Sequence, residues 1–163
     1  MSDQSQRDDG QLGDLYRETV LDHFRTPRGR KPLDRVDRSR DGHNPVCGDK
    51  LTVSVKLDGD TITDVAVQSK GCAISVASGS MLAELLPGMT QAQAHKLVEA
   101  FRGMMHGTPA PDDIDIGDLD ALEGIRNFPV RVKCALLAWL TLDDALCSSE
   151  TTDAPSRGIT ITE

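Results

Sequence analysis

Three of the four cysteines lie in contexts that suit metal binding or thiolate chemistry. Cys47 and Asp49 are one residue apart, which places a soft thiolate donor beside a hard carboxylate donor. Gly48 between them allows the backbone to turn tightly. Cys72 and Cys134 lie far along the chain, and the four donors together would complete a tetrahedral site of the kind that zinc prefers.

The spacing alone leaves a second interpretation open. The chain has no C-x-x-C pair, and scattered cysteines are more often small buried side chains than metal ligands. Cys147 is left out of the candidate site, because it follows a predicted helix whose carboxyl end disfavours a thiolate.

Composition excludes several function classes. The formal net charge of −8 over 163 residues argues against non-specific nucleic-acid binding, and one Trp, one Tyr and three Phe leave little for base stacking. No apolar run is long enough to span a bilayer, and the polar first ten residues are not a signal peptide. Four cysteines without an export signal indicate reduced thiols in the cytoplasm.

The length and pattern predict one domain over residues 12–147, between a disordered leader (1–11) and a polar tail (148–163). A helix is expected over about 13–24, with His23 on its surface or partly packed. Residues 28–40 are interpreted as an extended connector. In the tail, residues 159–161 could add a weak strand.

A β-hairpin is predicted next, and it brings two of the cysteines together. Residues 50–57 alternate apolar and polar, Asp58-Gly59 is a hairpin turn, and residues 61–68 form the return strand with a bulge near Asp64. Because the strands pair antiparallel, Cys47 and Cys72 meet at the open end of the hairpin.

Three further helices follow from the apolar periodicity. The first runs from Ile74 to about residue 85, and the second begins at a Thr90/Gln93 capping box. An acidic loop (107–117) and a short helical turn (118–124) precede the last helix, which runs from Pro129 to about residue 146.

The predicted helix starts add to the candidate chemistry. Cys72 and Cys134 lie in or before first turns, where unpaired N–H groups and the helix dipole stabilise a thiolate. Four basic residues neighbour the candidate ligands in sequence and would offset their negative charge: Lys50, Lys70, Arg131 and Lys133. Each of them taken singly is better interpreted as a solvated surface charge.

Three motifs in this order resemble the U-type iron–sulfur cluster assembly proteins, the SufU/IscU and NifU N-terminal domain family. They are NPVCGD at 44–49, GCAIS at 71–75 and KCA at 133–135. The resemblance extends from residue 15 to 146. Lys133 stands where IscU proteins carry a histidine, and residues 103–128 are similar to the insertion of the SufU branch.

The resemblance implies an α+β fold, a small antiparallel β-sheet with helices packed on one face. It also implies zinc held by Cys47, Asp49, Cys72 and Cys134, and a SufS-type pyridoxal-phosphate cysteine desulfurase as partner. A histidine of the desulfurase would displace Cys47 from zinc, and the freed thiolate would take the persulfide sulfur for downstream cluster assembly. The chain would then be a sulfurtransferase-like activator of the desulfurase and not a stand-alone enzyme.

Two alternatives use the same residues. The chain could be a scaffold that binds iron or an iron–sulfur cluster, since thiolates and a carboxylate suit either metal. Lys133 and the insertion favour the sulfur acceptor over the scaffold. A zinc ion that only stabilises the fold is less favoured, because such sites more often use paired C-x-x-C knuckles.

Overall fold

The computed structural model describes residues 17–147 and the backbone of residues 159–160. The predicted leader and most of the predicted tail lie outside the described residues. Helix α1 covers 17–25 of the described chain. The elements that follow are β1 Arg38–Asn44, β2 Asp49–Asp58, β3 Thr61–Lys70, α2 Ala73–Leu85, α3 Gln91–Met105, a 3-10 helix Gly117–Asn127, α4 Pro129–Cys147 and β4 Ile159–Thr160.

The sheet has the strand order β3-β2-β1-β4, and β2 is antiparallel to both neighbours. Strand β4 adds to β1 in parallel, with Ile159 beside Gly42 and Thr160 beside His43. Helices α2 and α4 pack on one face of the sheet, and α3 packs against α4. The predicted α+β class with an antiparallel sheet and helices on one face is confirmed, and the tail does contribute a short strand.

The β2–β3 hairpin has the predicted irregularity. Lys56 pairs with Asp64 but Leu57 pairs with Ile62, so Thr63 is the extra residue of a bulge. The bulge keeps Ile62 and Val65 buried on the side of the core. The alternating burial of β2 shows the same two-sided pattern as its sequence.

Strand β1 corrects the interpretation of 28–40 as connector throughout. Its sequence RSRDGHN has no β-branched or aromatic residue, so propensity gives no signal for a strand. The strand exists because β2 supplies a partner along its whole length, from Arg38 opposite Val55 to Asn44 opposite Asp49. The connector itself runs beside the free edge of β3, where the Val67 N–H donates to the Gly29 carbonyl.

The core lies between the sheet and the helices and is centred on α4. The ring of Trp139 packs 5.4 Å from that of Phe101 on α3, and both side chains are fully buried. The Trp139 indole N–H donates to Ser78 Oγ on α2, and the Ser78 hydroxyl donates to the Ala135 carbonyl. The predicted helices and the Thr90/Gln93 capping box are confirmed.

His23 is a second correction, because it is fully buried and not on the surface. Its Nδ1 lies 2.7 Å from Ser80 Oγ on α2, and its Nε2 lies 2.8 Å from Asp118 Oδ2 in the 3-10 helix. The apolar pattern of α1 could not reveal this position, since both partners come from distant parts of the chain.

Candidate metal centre

Three chain segments place the candidate ligands at one end of the sheet. Cys47 lies in the turn between β1 and β2, where Gly48 takes a φ of 72° that favours glycine. Asp49 is the first residue of β2, and Cys72 lies between β3 and α2. Cys134 is in the second turn of α4, which crosses over β1 and β2. The open end of the hairpin therefore meets the amino-terminal part of two helices.

The four side chains form one cluster. The ligand atoms of Cys47, Asp49 and Cys134 all lie within 4.8 Å of one another, and the Sγ atoms of Cys47 and Cys134 are 3.1 Å apart. Cys72 Sγ lies 3.9 Å from Asp49 Oδ2. All four cysteines of the chain are free thiols. Cys147 is exposed at the far end of α4.

The Asp49 carboxylate is fixed by the backbone. It is fully buried, and its Oδ1 accepts a 2.8 Å hydrogen bond from the Cys72 N–H. Gly71 passes so close that a Cβ at this position would overlap the Asp49 side chain. One carboxylate oxygen is thus held by the chain, and the other remains on the side of the thiols.

Cys72 is the N-cap residue of α2. The Ser75 N–H donates to Cys72 Sγ at 3.4 Å, so the sulfur takes the place of the usual capping oxygen. The side chain of Cys72 therefore lies at the amino-terminal end of α2, on the side of the other thiols.

Cys134 is the most enclosed of the three thiols. It is fully buried, and burial raises the pKa of the Cys134 thiol, with further increases from Cys47, Asp49 and Cys72. A Cys134 thiolate therefore needs a neighbouring cation. Asn44 at the end of β1 is also fully buried, and its side-chain N–H₂ group lies 3.6 Å from Cys134 Sγ.

Asn44 is a site residue that the sequence reasoning did not assign a role. Its Oδ1 also accepts a hydrogen bond from the Val46 N–H, which shapes the turn that carries Cys47. The signal was present in the motif NPVCGD, because asparagine commonly bonds the backbone two residues further on.

Only one of the four neighbouring basic residues lies at the thiols. The pKa of Arg131 is raised by its proximity to Cys72, and also by Cys134 and Cys47. Lys133 instead lines a cavity between α3 and α4 with Arg102 and His106. Lys50 and Lys70 project from the opposite face of the sheet, because side chains alternate along β2 and β3.

The sequence of this chain also matches a family of known proteins. Residues 15–135 match the family model described as the NifU-like N terminal domain. The chain belongs to this family.

Two curated relatives carry different functional names. The chain is 39% identical over 140 residues to the "Zinc-dependent sulfurtransferase SufU" of Bacillus subtilis, covering 85% of this chain and 94% of the relative. It is 37% identical over 135 residues to the "Iron-sulfur cluster assembly scaffold protein IscU" of Streptococcus pyogenes, covering 83% of this chain and 84% of that relative. The resemblance to SufU/IscU-like proteins is thus confirmed.

Solved structures of the NifU-like family share the fold. A putative iron–sulfur cluster assembly scaffold protein for the SUF system from Fervidobacterium islandicum superposes with a TM-score of 0.75 at 32% identity, covering 79% of this chain and 94% of that one. The N-terminal NifU-like protein of Brucella abortus superposes with a TM-score of 0.74 at 26% identity, covering 82% of this chain and 92% of that one.

The NifU-like chain surrounds Cys47 with exposed apolar side chains. Among residues 17–147, four large apolar side chains are strongly exposed, and three of them lie near Cys47: Val46 at 56%, Phe128 at 60% and Val130 at 50%. With Cys47 and Arg131 they line an open cavity of about 610 Å³. We call Val46, Phe128 and Val130 the apolar rim.

The donor set of this NifU-like chain fits a thiophilic divalent metal. Three thiols and one carboxylate supply the four ligands that tetrahedral zinc requires, and the same donors suit iron. Two other groups of potential ligands fit a metal less well. Between His23, Glu84 and Asp118 lies the Arg28 guanidinium, 3.1 Å from Glu84. The His95, Glu99 and Asp143 side chains are at the surface.

No helix within residues 17–147 is both long and apolar enough to cross a bilayer.

Proposed function

We propose that this chain is an iron–sulfur cluster assembly protein of the cytoplasm that accepts sulfur on Cys47 from a SufS-type pyridoxal-phosphate cysteine desulfurase. The sulfur then passes to downstream assembly machinery. The observation that carries the proposal is the cluster of three thiols and one carboxylate at one end of the sheet, with Cys47 opening on a cavity. The name of the Bacillus subtilis relative, a zinc-dependent sulfurtransferase, supports this assignment.

Zinc is the metal we assign to the site, with Cys47, Asp49, Cys72 and Cys134 as its ligands. When bound, it would keep the thiols deprotonated and protected until a partner docks. The buried Cys134 and the backbone-held Asp49 supply a fixed half of the site. Cys47 lies in a turn and is partly exposed, so it is the ligand best placed to leave.

The transfer itself is a thiolate–disulfide type of exchange. The Cys47 thiolate attacks the terminal sulfur of the donor's cysteine persulfide, and a new S–S bond forms on Cys47. The bond between the two sulfurs of the donor breaks, and the donor cysteine leaves as a thiolate. The reaction has no net oxidation, so it needs no further reactant.

Two features of the chain suit this step. Arg131 lies beside the thiols, where its fixed positive charge stabilises both the attacking and the leaving thiolate. The apolar rim around Cys47 is the kind of exposed apolar surface that marks a protein-binding site. A persulfide delivered on a partner's loop would enter the open cavity beside Cys47.

A scaffold for cluster assembly is the second candidate function. The donor set suits iron as well as zinc, and the Streptococcus pyogenes relative carries the scaffold name. On this alternative the same four residues would hold an iron–sulfur cluster that is later passed to an acceptor protein.

The test measures metal content, visible absorbance and sulfur acceptance of the purified chain. We expect one zinc per chain, no stable cluster absorbance after anaerobic incubation with iron, sulfide and thiol, and a faster desulfurase reaction when the chain is added. Cys47→Ser should abolish persulfide formation on the chain, detected by mass spectrometry. Asp49→Ala should lower zinc content.

Cys147→Ser is the matched control, because Cys147 is exposed at the end of α4. It should leave zinc content and sulfur acceptance unchanged. A stoichiometric cluster that displaces zinc and transfers to an apo-acceptor would favour the scaffold. A chain that binds no metal under any condition would contradict both functions.

A further inference from the structure

The outer face of the sheet, opposite the helices, is covered at one end and open at the other. Near the hairpin turn, Lys56 pairs with Asp34 at 3.1 Å, and the Arg35 guanidinium donates to the Leu57 carbonyl at 2.8 Å. The connector therefore lies over this end. At the other end, beside the candidate metal centre, a cavity of about 600 Å³ is open to solvent.

Three basic side chains and one histidine line the open end. His43, Lys50 and Lys70 lie in one row across β1, β2 and β3, because His43 is directly opposite Lys50 and Lys50 is directly opposite Lys70. Arg30 lines the same cavity and is held by a 2.7 Å hydrogen bond from its guanidinium to the Ser69 carbonyl. We call these four residues the basic patch.

The position of Lys50 directly opposite Lys70 is electrostatically unfavourable for the isolated chain. Like charges directly opposite on neighbouring strands destabilise a sheet. The acidic residue of this cavity, Asp41, accepts a 2.7 Å hydrogen bond from the Thr52 hydroxyl. Within the described part of the chain, no ion pair joins Lys50 or Lys70 to a carboxylate. A cluster of basic side chains is also unexpected in a chain whose formal net charge is −8.

The basic patch lies directly behind the thiols. Lys50 follows Asp49, and Lys70 is two residues before Cys72, while their side chains project from the other face of the sheet. A protein that contacts both the apolar rim and the basic patch would have to reach around this end of the sheet.

We propose that the basic patch binds an acidic segment of the protein that delivers sulfur to Cys47. The proposal rests on the proposed function and adds the chemistry by which the donor is recognised. Charge complementarity carries it, because surfaces of opposite sign steer association and select partners. Nucleic acid fits less well, since none of the described residues that line the cavity is Phe, Tyr or Trp and the chain as a whole is acidic.

The first test compares Lys50→Glu/Lys70→Glu with Lys96→Glu in the zinc-loaded, full-length chain. Lys96 is exposed on α3, outside the basic patch, and serves as the matched control for a charge reversal. We expect the chain concentration that half-saturates desulfurase stimulation to rise about tenfold in the double variant. The difference in half-saturating concentration between the double variant and the control should shrink as the salt concentration is raised from about 0.05 M to about 0.5 M. Equal half-saturation for the double variant and the control would overturn the proposal.

The second test needs no sulfur transfer. A fluorophore-labelled hexaglutamate peptide is titrated with each variant, and an oligonucleotide of equal charge is titrated in parallel. We expect saturable peptide binding to the wild type that is lost in the double variant and kept in Lys96→Glu. Absence of peptide binding by the wild type, or tighter binding of the oligonucleotide at every salt concentration, would contradict an acidic protein segment.

A variant truncated after Thr160 tests whether residues 161–163 of the chain itself occupy the basic patch. Residues 161–163, which include the acidic Glu163, follow β4 in sequence, and β4 runs parallel to β1 beside His43. If the peptide binds only after these residues are removed, the patch is occupied by residues 161–163 of the chain itself and the proposal is wrong. Failure of the proposed function gives a different result, since the wild type would then not stimulate the desulfurase at all.

Discussion

At the level of single residues, the candidate metal centre is arranged around the Asp49 carboxylate. A buried carboxylate is costly unless it is paired or hydrogen-bonded. The Cys72 N–H satisfies one oxygen of Asp49, and the same hydrogen bond fixes where Cys72 lies. Gly71 permits this contact because it carries no side chain. The position of two ligands therefore depends on one glycine.

Replacing Gly71 with Ala should disturb the site and the fold together. The added Cβ would overlap the Asp49 side chain, so we expect a loss of about 2 kcal/mol in the free energy of unfolding and weaker zinc binding. Urea unfolding and a competition titration with a zinc chelator measure the two effects. Gly124→Ala is the control, since a Cβ there meets no atom within 4 Å. Equal behaviour of the two variants would show that Gly71 is not needed for the close approach.

The sequence predicted which candidate ligands lie together, but not in which direction the neighbouring basic side chains point. Hairpin pairing is a local signal and predicted that Cys47 and Cys72 meet. Cys134 was included as a further donor and by the family resemblance, since its position depends on how α4 packs on the sheet. The four neighbouring cations were grouped by sequence distance, whereas side-chain direction depends on strand alternation and helix rotation. Only Arg131 lies at the thiols. Metal ligation by the four residues remains a prediction.

At the level of elements, the buried His23 joins three of them. The Arg28 backbone N–H donates to Ser80 Oγ at 2.8 Å. The Arg28 guanidinium, which can only donate, lies 3.3 Å from His23 Nδ1, so Nδ1 is an acceptor and the Ser80 hydroxyl donates to it. His23 Nε2 then carries the hydrogen and donates to Asp118. One imidazole thus connects α1, α2 and the 3-10 helix, and all its polar atoms are satisfied.

Replacing His23 with Ala should loosen this junction. The variant leaves a cavity and deprives Ser80 and Asp118 of the imidazole that joins them, so we expect a loss of about 3 kcal/mol in the free energy of unfolding. Urea unfolding measures it, and hydrogen exchange should increase in the 3-10 helix. His106→Ala, in the exposed turn after α3, is the control and should change stability by less than about 0.5 kcal/mol. A His23→Ala variant as stable as this control would contradict the junction.

The elements themselves could mostly be predicted, and the exceptions have a common cause. The hairpin, its bulge and helices α2, α3 and α4 all have local sequence signals such as alternation, Asp58-Gly59 and the Thr90/Gln93 capping box. Strand β1 has none, because its partner β2 determines its conformation. The burial of His23 likewise depends on Ser80 and Asp118, which are distant in sequence.

At the level of the whole molecule, stability should depend on pH through a contact between α3 and α4. His95 Nδ1 lies 2.8 Å from Asp143 Oδ1, and this hydrogen bond, with the charges of Asp143 and Glu99, raises the pKa of His95. Arg102 lowers the pKa of His95 by a smaller amount. Because the folded-state pKa lies above the unfolded value of about 6.5, the stabilisation is complete below that pH and is lost as pH rises through the folded value.

His95→Asn tests this pH dependence. When pH is lowered from about 8.5 to about 6, the free energy of unfolding of the wild type should rise by about 0.5 kcal/mol more than that of the variant. The effect is small because solvent screens this exposed pair. Urea unfolding at both pH values gives the difference. His106→Asn is the matched control and should follow the wild type. A His95→Asn variant with the wild-type pH dependence would show that the contact contributes nothing.

Both edges of the sheet are occupied by segments that come from outside the hairpin. Gly29 of the connector bonds to β3, and Ile159–Thr160 pairs with β1. An unprotected edge strand invites pairing with another chain and is a common origin of aggregation. The connector and the short strand β4 each shield part of an edge. Residues outside the hairpin thereby limit edge-to-edge pairing of this sheet with another chain.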